Sequence, residues 1–360
     1  MAGPNALPGW SIVAPAAGWA ALAGAWAGLS GAYAFALAAG LVASVLAAVH
    51  HAEVVALRVG EPFGTLVLAL AVTVIEVALI VSLMLAGGEA ASALPRDTVF
   101  AAVMIILTAM LGACMTAGGS RHGEQSFRVH GVSASLVTLA AICVLTMVLP
   151  NYTVTVGGPY YSASQLAFVA VVCVVLYGAF VMVQTVRHRD YFLPDDGSAG
   201  EDAHAAPPSA RVALAAMGLL VACLVAVVLL GKALAPSIEA GVAAAGAPKA
   251  LVGVVVAAVV LMPEGLAALR AARANRLQTS LNLALGSALA SIGLTIPAVA
   301  IVSLATGWTL TLGLDAKSTV LLLLALFCAA ISLATGRTTV LQGAVHLVIF
   351  AVYLFTTIVP

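Results

Sequence analysis

The chain has 360 residues, of which 63% are hydrophobic and only 8% are charged, whereas ordinary soluble domains are about 45–50% apolar and about 25% charged. So little polar surface excludes a soluble enzyme and a disordered chain, and it indicates an integral membrane protein. The 14 basic and 14 acidic side chains cancel, which excludes the basic excess expected of a nucleic-acid-binding protein.

Apolar runs long enough for a membrane-spanning helix recur along the whole chain. A bilayer core about 30 Å thick needs about 20 apolar residues in helical form. Eleven runs meet this requirement: 10–28, 30–50, 64–87, 98–119, 131–149, 163–186, 211–235, 249–270, 280–306, 318–335 and 340–359. The first run is the weakest because Pro15 and several glycines interrupt it, which leaves ten spans as the alternative.

The basic residues lie mainly on one side of these runs. When successive loops are assigned to alternate sides, 10 of the 14 Lys and Arg residues fall on the side of the N-terminus. Cytoplasmic loops carry an excess of Lys and Arg, so this side is predicted to be cytoplasmic. The N-terminus is then inside and the C-terminus outside, and the expected location is a bacterial inner membrane.

One long polar segment divides the runs into six and five. Residues 187–210 contain five acidic side chains and a Pro-Pro pair, and they predict a flexible cytoplasmic linker. An odd number of spans per repeat makes consecutive repeats insert in opposite orientations. The predicted fold is therefore all-α, a polytopic membrane protein of about eleven transmembrane helices with an inverted 5+5 repeat. Its predicted units are a leading helix (1–29), a first five-helix repeat (30–186), the linker (187–210) and a second five-helix repeat (211–360).

Only two of the 14 acidic side chains, Glu76 and Glu264, lie within apolar runs. A charge at that depth costs several kcal/mol unless it is neutralised, so such residues mark ion or proton pathways. The alternative for each is a protonated glutamate that is hydrogen-bonded to a neighbouring helix, and one glutamate in each half disfavours it. Both occupy the second helix of their predicted five-helix set, so an inverted repeat brings them to the membrane midplane.

The surroundings of these glutamates favour a hard cation. Pro263 removes a backbone donor next to Glu264 and frees a carbonyl oxygen. Carboxylate and carbonyl oxygens suit Ca²⁺ or Na⁺ rather than a soft metal. Since no Lys or Arg within the membrane can pair with them, the two glutamates need either protons or a cation. The sequence therefore predicts a proton/cation exchanger.

The ninth run supplies small and polar residues, among them Asn282, Ser287 and Ser291. They serve either close helix packing or the lining of the cation site. Pro297 is expected to break this helix near the membrane centre.

Two further residues have alternative interpretations. His346, in the last run, is either a proton relay or, as we favour, a buried histidine with satisfied hydrogen bonds. Glu124, in the loop after the fourth run, is expected to cap the next helix rather than to bind a metal or sense pH.

Four segments resemble a known family: GEPFGTLVLALAVTVIEVALI (60–80), LMPEGLAAL (261–269), LNLALGSALASIGLTIP (281–297) and ATGRTTVLQGAVHLVIFAVYL (334–354). They are similar to the ChaA-type calcium/proton and sodium–potassium/proton antiporters of the calcium:cation antiporter superfamily. The resemblance covers most of the chain from about residue 41 onward. It implies two repeats that each contribute one acid to a central cation site, Glu76 and Glu264, with Ser287 as a secondary ligand.

The predicted function is a proton-coupled cation antiporter that exchanges Ca²⁺, with Na⁺ and K⁺ as further substrates, by alternating access. The alternative is a Na⁺ or K⁺/H⁺ antiporter with little Ca²⁺ activity, because TVIEV and LMPEG replace the usual GNxxE around each acid. The candidate cation- and proton-binding residues are Glu76, Glu264, Ser287, Asn282 and Thr73, with Glu76 and Glu264 as the metal ligands. The expected partners are inorganic cations, protons and the lipid bilayer; no cofactor, nucleic acid or enzymatic activity is expected.

The side assignment can be tested by labelling. Ser198 lies in the predicted cytoplasmic linker, so a Ser198→Cys variant, in a background without other reactive cysteines, should react with a membrane-impermeant maleimide only after the cells are opened. Labelling of this cysteine from outside intact cells would overturn the side assignment of every loop.

Overall fold

The structure, a computed structural model, describes residues 7–60, 63–193 and 207–359. Eleven long helices account for most of these residues: α1 (Gly9–Trp26), α2 (Gly31–Val59), α3 (Phe63–Gly87), α4 (Leu94–His122), α5 (Val129–Asn151), α6 (Ala163–Arg187), α7 (Ala210–Ala244), α8 (Ala250–Arg273), α9 (Leu277–Thr306), α10 (Ala316–Ser332) and α11 (Val340–Ile358). Two short strands, β1 (Gln125–Ser126) and β2 (Arg337–Thr338), pair antiparallel and join the α4–α5 loop to the α10–α11 loop.

The all-α, polytopic architecture predicted from the sequence is confirmed. Eight of the helices are long and apolar enough to cross a bilayer. The apolar segment Leu70–Leu85 of α3 and helix α10 are shorter. Helix α1 contains Pro15 and is the first of the eleven, the position that the sequence marks as weakest.

Several helices differ from their predicted extents. Helix α7 continues to Ala244, beyond the predicted end at residue 235, and keeps Pro236 within it. Helix α9 is continuous from Leu277 to Thr306, so the expectation that Pro297 breaks it is wrong. A proline removes a single backbone donor, and in a packed membrane helix neighbouring groups can compensate for that loss.

Three helices contain a π-helical turn instead of a break. These turns are Ile105–Met110 in α4, Val144–Val148 in α5 and Val183–Arg187 in α6. No residue pattern in the sequence predicted them, because a π turn forms where tertiary contacts accommodate one extra residue.

The packing of the helices is similar in the two halves. Helix α2 packs on α7, the first helices of the two predicted repeats. The pair α3–α9 matches the pair α8–α4, and the pair α4–α11 matches the pair α9–α6. Helix α1 packs outside this arrangement, on α2 and α7. Each contact in one half therefore has a counterpart in the other half, which is expected if 30–186 and 211–360 are repeats of each other. This packing supports the repeat assignment, which stays a prediction.

The predicted linker is described only at its two ends. A short 3₁₀ turn, Arg189–Phe192, follows α6, and α7 begins at Ala210 with Ser209 as its N-cap. Residues 194–206, which include four of the five linker acids, lie outside the described residues.

Candidate cation site

Helix α3 carries Glu76 into the apolar interior of the bundle. The side chain of Glu76 is 4% exposed, and that of Thr73, one turn earlier on the same face, is 3% exposed. Helix α3 approaches α7 closely because Gly231 has no side chain: a β-carbon there would lie 2.1 Å from Cδ1 of Leu79. The sequence therefore buries this face of α3 against the other half of the chain.

A serine from the second half of the chain satisfies one oxygen of Glu76. The hydroxyl of Ser291, on α9, donates a short hydrogen bond to Oε1 of Glu76. Ser291 is 2% exposed, so this bond is shielded from solvent. A hydrogen bond to a buried carboxylate stabilises its ionised form and fixes its orientation.

Helix α8 places Glu264 in a different environment. Both carboxylate oxygens are buried, and neither has a hydrogen-bond partner among the described residues. Pro263 is within the continuous helix, and α8 packs on α4 along this region. Buried carboxylate oxygens without partners are rare in proteins and indicate a missing ligand or proton.

The helices that carry the two carboxylates pack on each other. Glu76 lies on α3, in the first half of the chain, and Glu264 lies on α8, in the second half, and α3 contacts α8. Ion pairs such as Arg96–Asp97 and Arg337–Glu124 involve other carboxylates. Within the part of the chain that the structure describes, neither Glu76 nor Glu264 forms an ion pair with a Lys or Arg side chain, so a cation or protons must balance their charge.

Helix α9 presents a row of hydroxyl groups near Glu76. Ser287 lies one turn before Ser291 and is half-buried, and Thr295 lies one turn after it and is fully buried. The hydroxyl of Thr295 has no hydrogen-bond partner among the described residues. These three side chains occupy one face of α9, and the role of Ser287 as a cation ligand stays a prediction.

Asn282 does not join this group. Its amide donates to the Phe192 carbonyl at 2.6 Å, and its oxygen accepts from Gln278 at 2.9 Å. Asn282 precedes Ser291 by nine residues, which is about 13 Å along α9 and half a turn around it. The structure therefore assigns Asn282 to packing at the end of α9 rather than to the carboxylates.

Ser291 is the residue that the sequence analysis left out of the candidate set. It was one of several polar residues in the ninth run, and the resemblance pointed to Ser287 instead. The available signal was helical periodicity, since Ser287, Ser291 and Thr295 recur every four residues. Which of them reaches Glu76 depends on the rotation of α9, which a sequence does not contain.

The loop between α4 and α5 also differs from expectation. The carboxylate of Glu124 lies 3.5 Å from the guanidinium of Arg337, and both side chains are exposed. Arg128 occupies the N-cap position of α5, with no side-chain capping bond. The expectation that Glu124 caps this helix is therefore wrong.

The donor set suits hard cations. Within the described residues, no group of three or more His, Cys, Asp or Glu side chains could hold a metal ion. The site instead offers two carboxylates and hydroxyl oxygens, which are ligands for Ca²⁺, Na⁺ or K⁺ and acceptors for protons. Such a pair can bind either a cation or protons, because both neutralise the same oxygens.

The chain is similar to known ion transporters. Residues 29–186 and 215–359 match the family model described as sodium/calcium exchanger protein. The chain is 52% identical over 326 residues to the putative ionic transporter y4hA of Sinorhizobium fredii, which covers 90% of this chain and 88% of that protein. It is 37% identical over 319 residues to the sodium-potassium/proton antiporter ChaA of Escherichia coli, which covers 88% of this chain and 86% of that protein.

The fold is similar to two solved antiporter structures. Native YfkE superposes with a TM-score of 0.75 at 17% identity, over 98% of this chain and 100% of that chain. The H⁺/Ca²⁺ exchanger CAX superposes with a TM-score of 0.68 at 15% identity, over 89% of this chain and 82% of that chain. At these identities the likeness concerns the fold alone.

The bond between Ser291 and Glu76 gives a testable prediction. A Ser291→Ala variant loses a donor that stabilises the ionised carboxylate, so protons compete better and cation affinity should fall about tenfold at constant pH. Ser291→Thr keeps a hydroxyl and should stay near the parent. The measurement is equilibrium binding of radioactive Ca²⁺ and Na⁺ to the purified protein in detergent.

Ser135 provides the matched control for this experiment. It is also a buried helical serine, but its hydroxyl donates to the Gly131 carbonyl of its own helix. Ser135→Ala should leave cation affinity unchanged. Parental affinity in a folded Ser291→Ala protein would remove Ser291 from the site.

Proposed function

The chain belongs to the sodium/calcium exchanger protein family, and from this premise we propose that it exchanges Ca²⁺ for protons through Glu76 and Glu264. Members of this family are secondary cation transporters, so the protein is a transporter and not an enzyme. It is an integral membrane protein, and the resemblance stated from its sequence motifs is confirmed.

One observation carries the proposal: two buried carboxylates lie on packed helices from different halves of the chain, and neither forms an ion pair with a Lys or Arg side chain among the described residues. Glu76 holds one hydrogen bond, from Ser291, and Glu264 has none among the described residues. Two ionised carboxylates at this depth repel each other and are poorly solvated. Bound protons or a bound cation remove both costs.

The charge balance defines the exchange. Two protons neutralise the pair, and one divalent cation neutralises it equally. Binding of Ca²⁺ from one side therefore releases up to two protons from the same oxygens. Ser291, Ser287 and Thr73 would supply hydroxyl oxygens toward the six to eight that Ca²⁺ usually takes, with backbone carbonyls or water completing the shell.

Alternating access would come from relative movement of the two halves. Helix α3 of the first half packs on α9 of the second, and α8 of the second packs on α4 of the first. A shift between the halves therefore changes the surroundings of both carboxylates at once. Inverted repeats that rock around a central site are the usual basis of this cycle, and the mirrored packing supports it here.

A second candidate is a Na⁺ or K⁺/H⁺ antiporter with little Ca²⁺ activity. The observation that favours it is 37% identity to a protein described as a sodium-potassium/proton antiporter. A monovalent ion displaces one proton from one carboxylate, so this exchange does not need both glutamates ionised together. The two candidates therefore differ in how many protons are released per cation.

The proposed location is a bacterial inner membrane, with the N-terminus and the linker in the cytoplasm. The bacterial relatives and the one-sided distribution of arginine support this orientation. In this orientation, the paired strands β1 and β2 lie on the cytoplasmic face, where they connect the two halves.

Substitution of each glutamate tests the proposed exchange. Glu76→Gln and Glu264→Gln keep the size of the protonated side chain but remove its titratable charge. In the parent, apparent cation affinity should rise steeply with pH, because protons leave the carboxylates as pH increases. Each variant should reduce Ca²⁺-driven proton flux to near background, because one carboxylate cannot neutralise a divalent ion. Proton flux in reconstituted vesicles, with Ca²⁺, Na⁺ and K⁺ compared at several pH values, is the measurement.

Glu239→Gln is the matched control, since Glu239 lies exposed near the end of α7. It should retain parental flux and pH dependence. Near-parental Ca²⁺ flux in a folded Glu76→Gln or Glu264→Gln protein would remove that residue from the site. Flux with Na⁺ or K⁺ but not with Ca²⁺ in the parent would favour the second candidate.

A further inference from the structure

A π-helical turn lies at the centre of the bundle, beside the candidate site. It comprises Ile105–Met110 of α4, and Ile106, Leu107 and Thr108 within it are fully buried. Single π turns inside α-helices are rare and occur frequently at functional sites. Neighbouring helices surround this turn: α8, α9 and α11 all make contacts with it.

One of these contacts comes from a histidine on the last helix. Nδ1 of His346 lies 2.7 Å from the carbonyl oxygen of Leu107, and Nε2 lies 3.2 Å from the hydroxyl of Ser332. A carbonyl can only accept, so Nδ1 carries the proton and donates. In the neutral ring Nε2 then accepts from Ser332. Both ring nitrogens therefore form hydrogen bonds, which agrees with the interpretation of His346 as a buried histidine with satisfied hydrogen bonds.

Glycines bring the two helices close enough for this contact. A β-carbon at Gly343 of α11 would lie 2.6 Å from the backbone nitrogen of Thr116, and one at Gly112 of α4 would lie 3.0 Å from the Gly343 carbonyl oxygen. Small residues allow this approach in membrane helices. The imidazole of His346 therefore meets α4 in a fixed position.

The other side of the π turn faces the candidate cation site. The turn packs on α8, and its last residue, Met110, has its methyl carbon 3.5 Å from where a β-carbon of Gly265, the residue after Glu264, would lie. The turn also packs on α9, which carries Ser291. Through the turn, the hydrogen bond of His346 is connected by direct contacts to the segment that holds Glu264.

We propose that His346 is a positioning residue of the exchanger: its hydrogen bond to the Leu107 carbonyl holds the π turn of α4 against the Glu264 segment of α8. This role rests on the proposed function, and it assigns His346 no contact with the transported ions. Loss of the donor lets the π turn relax toward a regular helix, which shifts Met110 and with it the carboxylate of Glu264. The cation site then loses affinity although every ligand is still present.

The test compares two substitutions of His346. His346→Leu fills space but cannot donate, whereas His346→Asn carries an amide donor near the position of Nδ1. Hydrogen exchange of the 105–110 peptide should become at least about tenfold faster in the Leu variant and stay within about twofold of the parent in the Asn variant. The KM for the cation in reconstituted vesicles should follow the same order. A purely structural role would lower the amount of active protein, and hence the maximal rate, without changing KM.

His51 gives the matched control. It is also fully buried, and its Nε2 lies 2.9 Å from the Ser11 carbonyl oxygen of another helix; His51 lies on α2, which carries none of the candidate cation ligands. His51→Leu should leave both the 105–110 exchange rate and KM unchanged.

The outcomes separate this proposal from the proposed function. Unchanged exchange of 105–110 in His346→Leu overturns the positioning role, and so does faster exchange with a parental KM. An Asn variant that behaves like the Leu variant also overturns it. If the parent shows no cation-driven proton flux, the proposed function fails, and the positioning role for exchange fails with it, whereas hydrogen exchange still decides whether His346 holds the turn.

Discussion

The structure depends on one constraint: two carboxylates lie in an apolar bundle, and among the described residues no Lys or Arg side chain pairs with either of them. Glu76 and both carboxylate oxygens of Glu264 are buried, on helices α3 and α8 that pack on each other. An ionised carboxylate at that depth costs several kcal/mol unless it is paired. The pair is stable only with protons or a cation bound. The cost of burying two unpaired charges would destabilise a soluble protein, but in a transporter it favours exchange of one bound ion for another.

The surrounding helices hold the two carboxylates in different ways. Ser291 of α9 orients Glu76 by a direct hydrogen bond, whereas the segment of α8 that carries Glu264 packs on α4 and its π turn. Both arrangements cross between the halves of the chain. A relative movement of the halves therefore changes the environment of both acids together, which links access to the site with its occupancy.

The sequence was sufficient to predict the helices. The bilayer requires about 20 apolar residues per span, so the eleven runs matched the eleven helices of the described residues, and depth within a run singled out Glu76 and Glu264 as the acids of the proposed site. Which side chain forms a hydrogen bond with each carboxylate was not predictable, because this depends on helix rotation and on tertiary contacts. Asn282 and Ser291 look equivalent in the sequence, yet only Ser291 reaches a carboxylate. The continuity of α9 through Pro297 and the π turn of α4 likewise arise from packing between distant segments.

Proton release on cation binding tests the central claim most directly. Ca²⁺ is added to purified protein in weakly buffered detergent solution, and a pH indicator dye records the protons released per Ca²⁺ bound. If protons and cation share the oxygens of Glu76 and Glu264, the parent should release up to two protons per Ca²⁺, and the Glu76→Gln/Glu264→Gln double variant should release none. Two results would contradict the account: stoichiometric Ca²⁺ binding by the parent with no proton release at any pH, or proton release from the double variant equal to that of the parent.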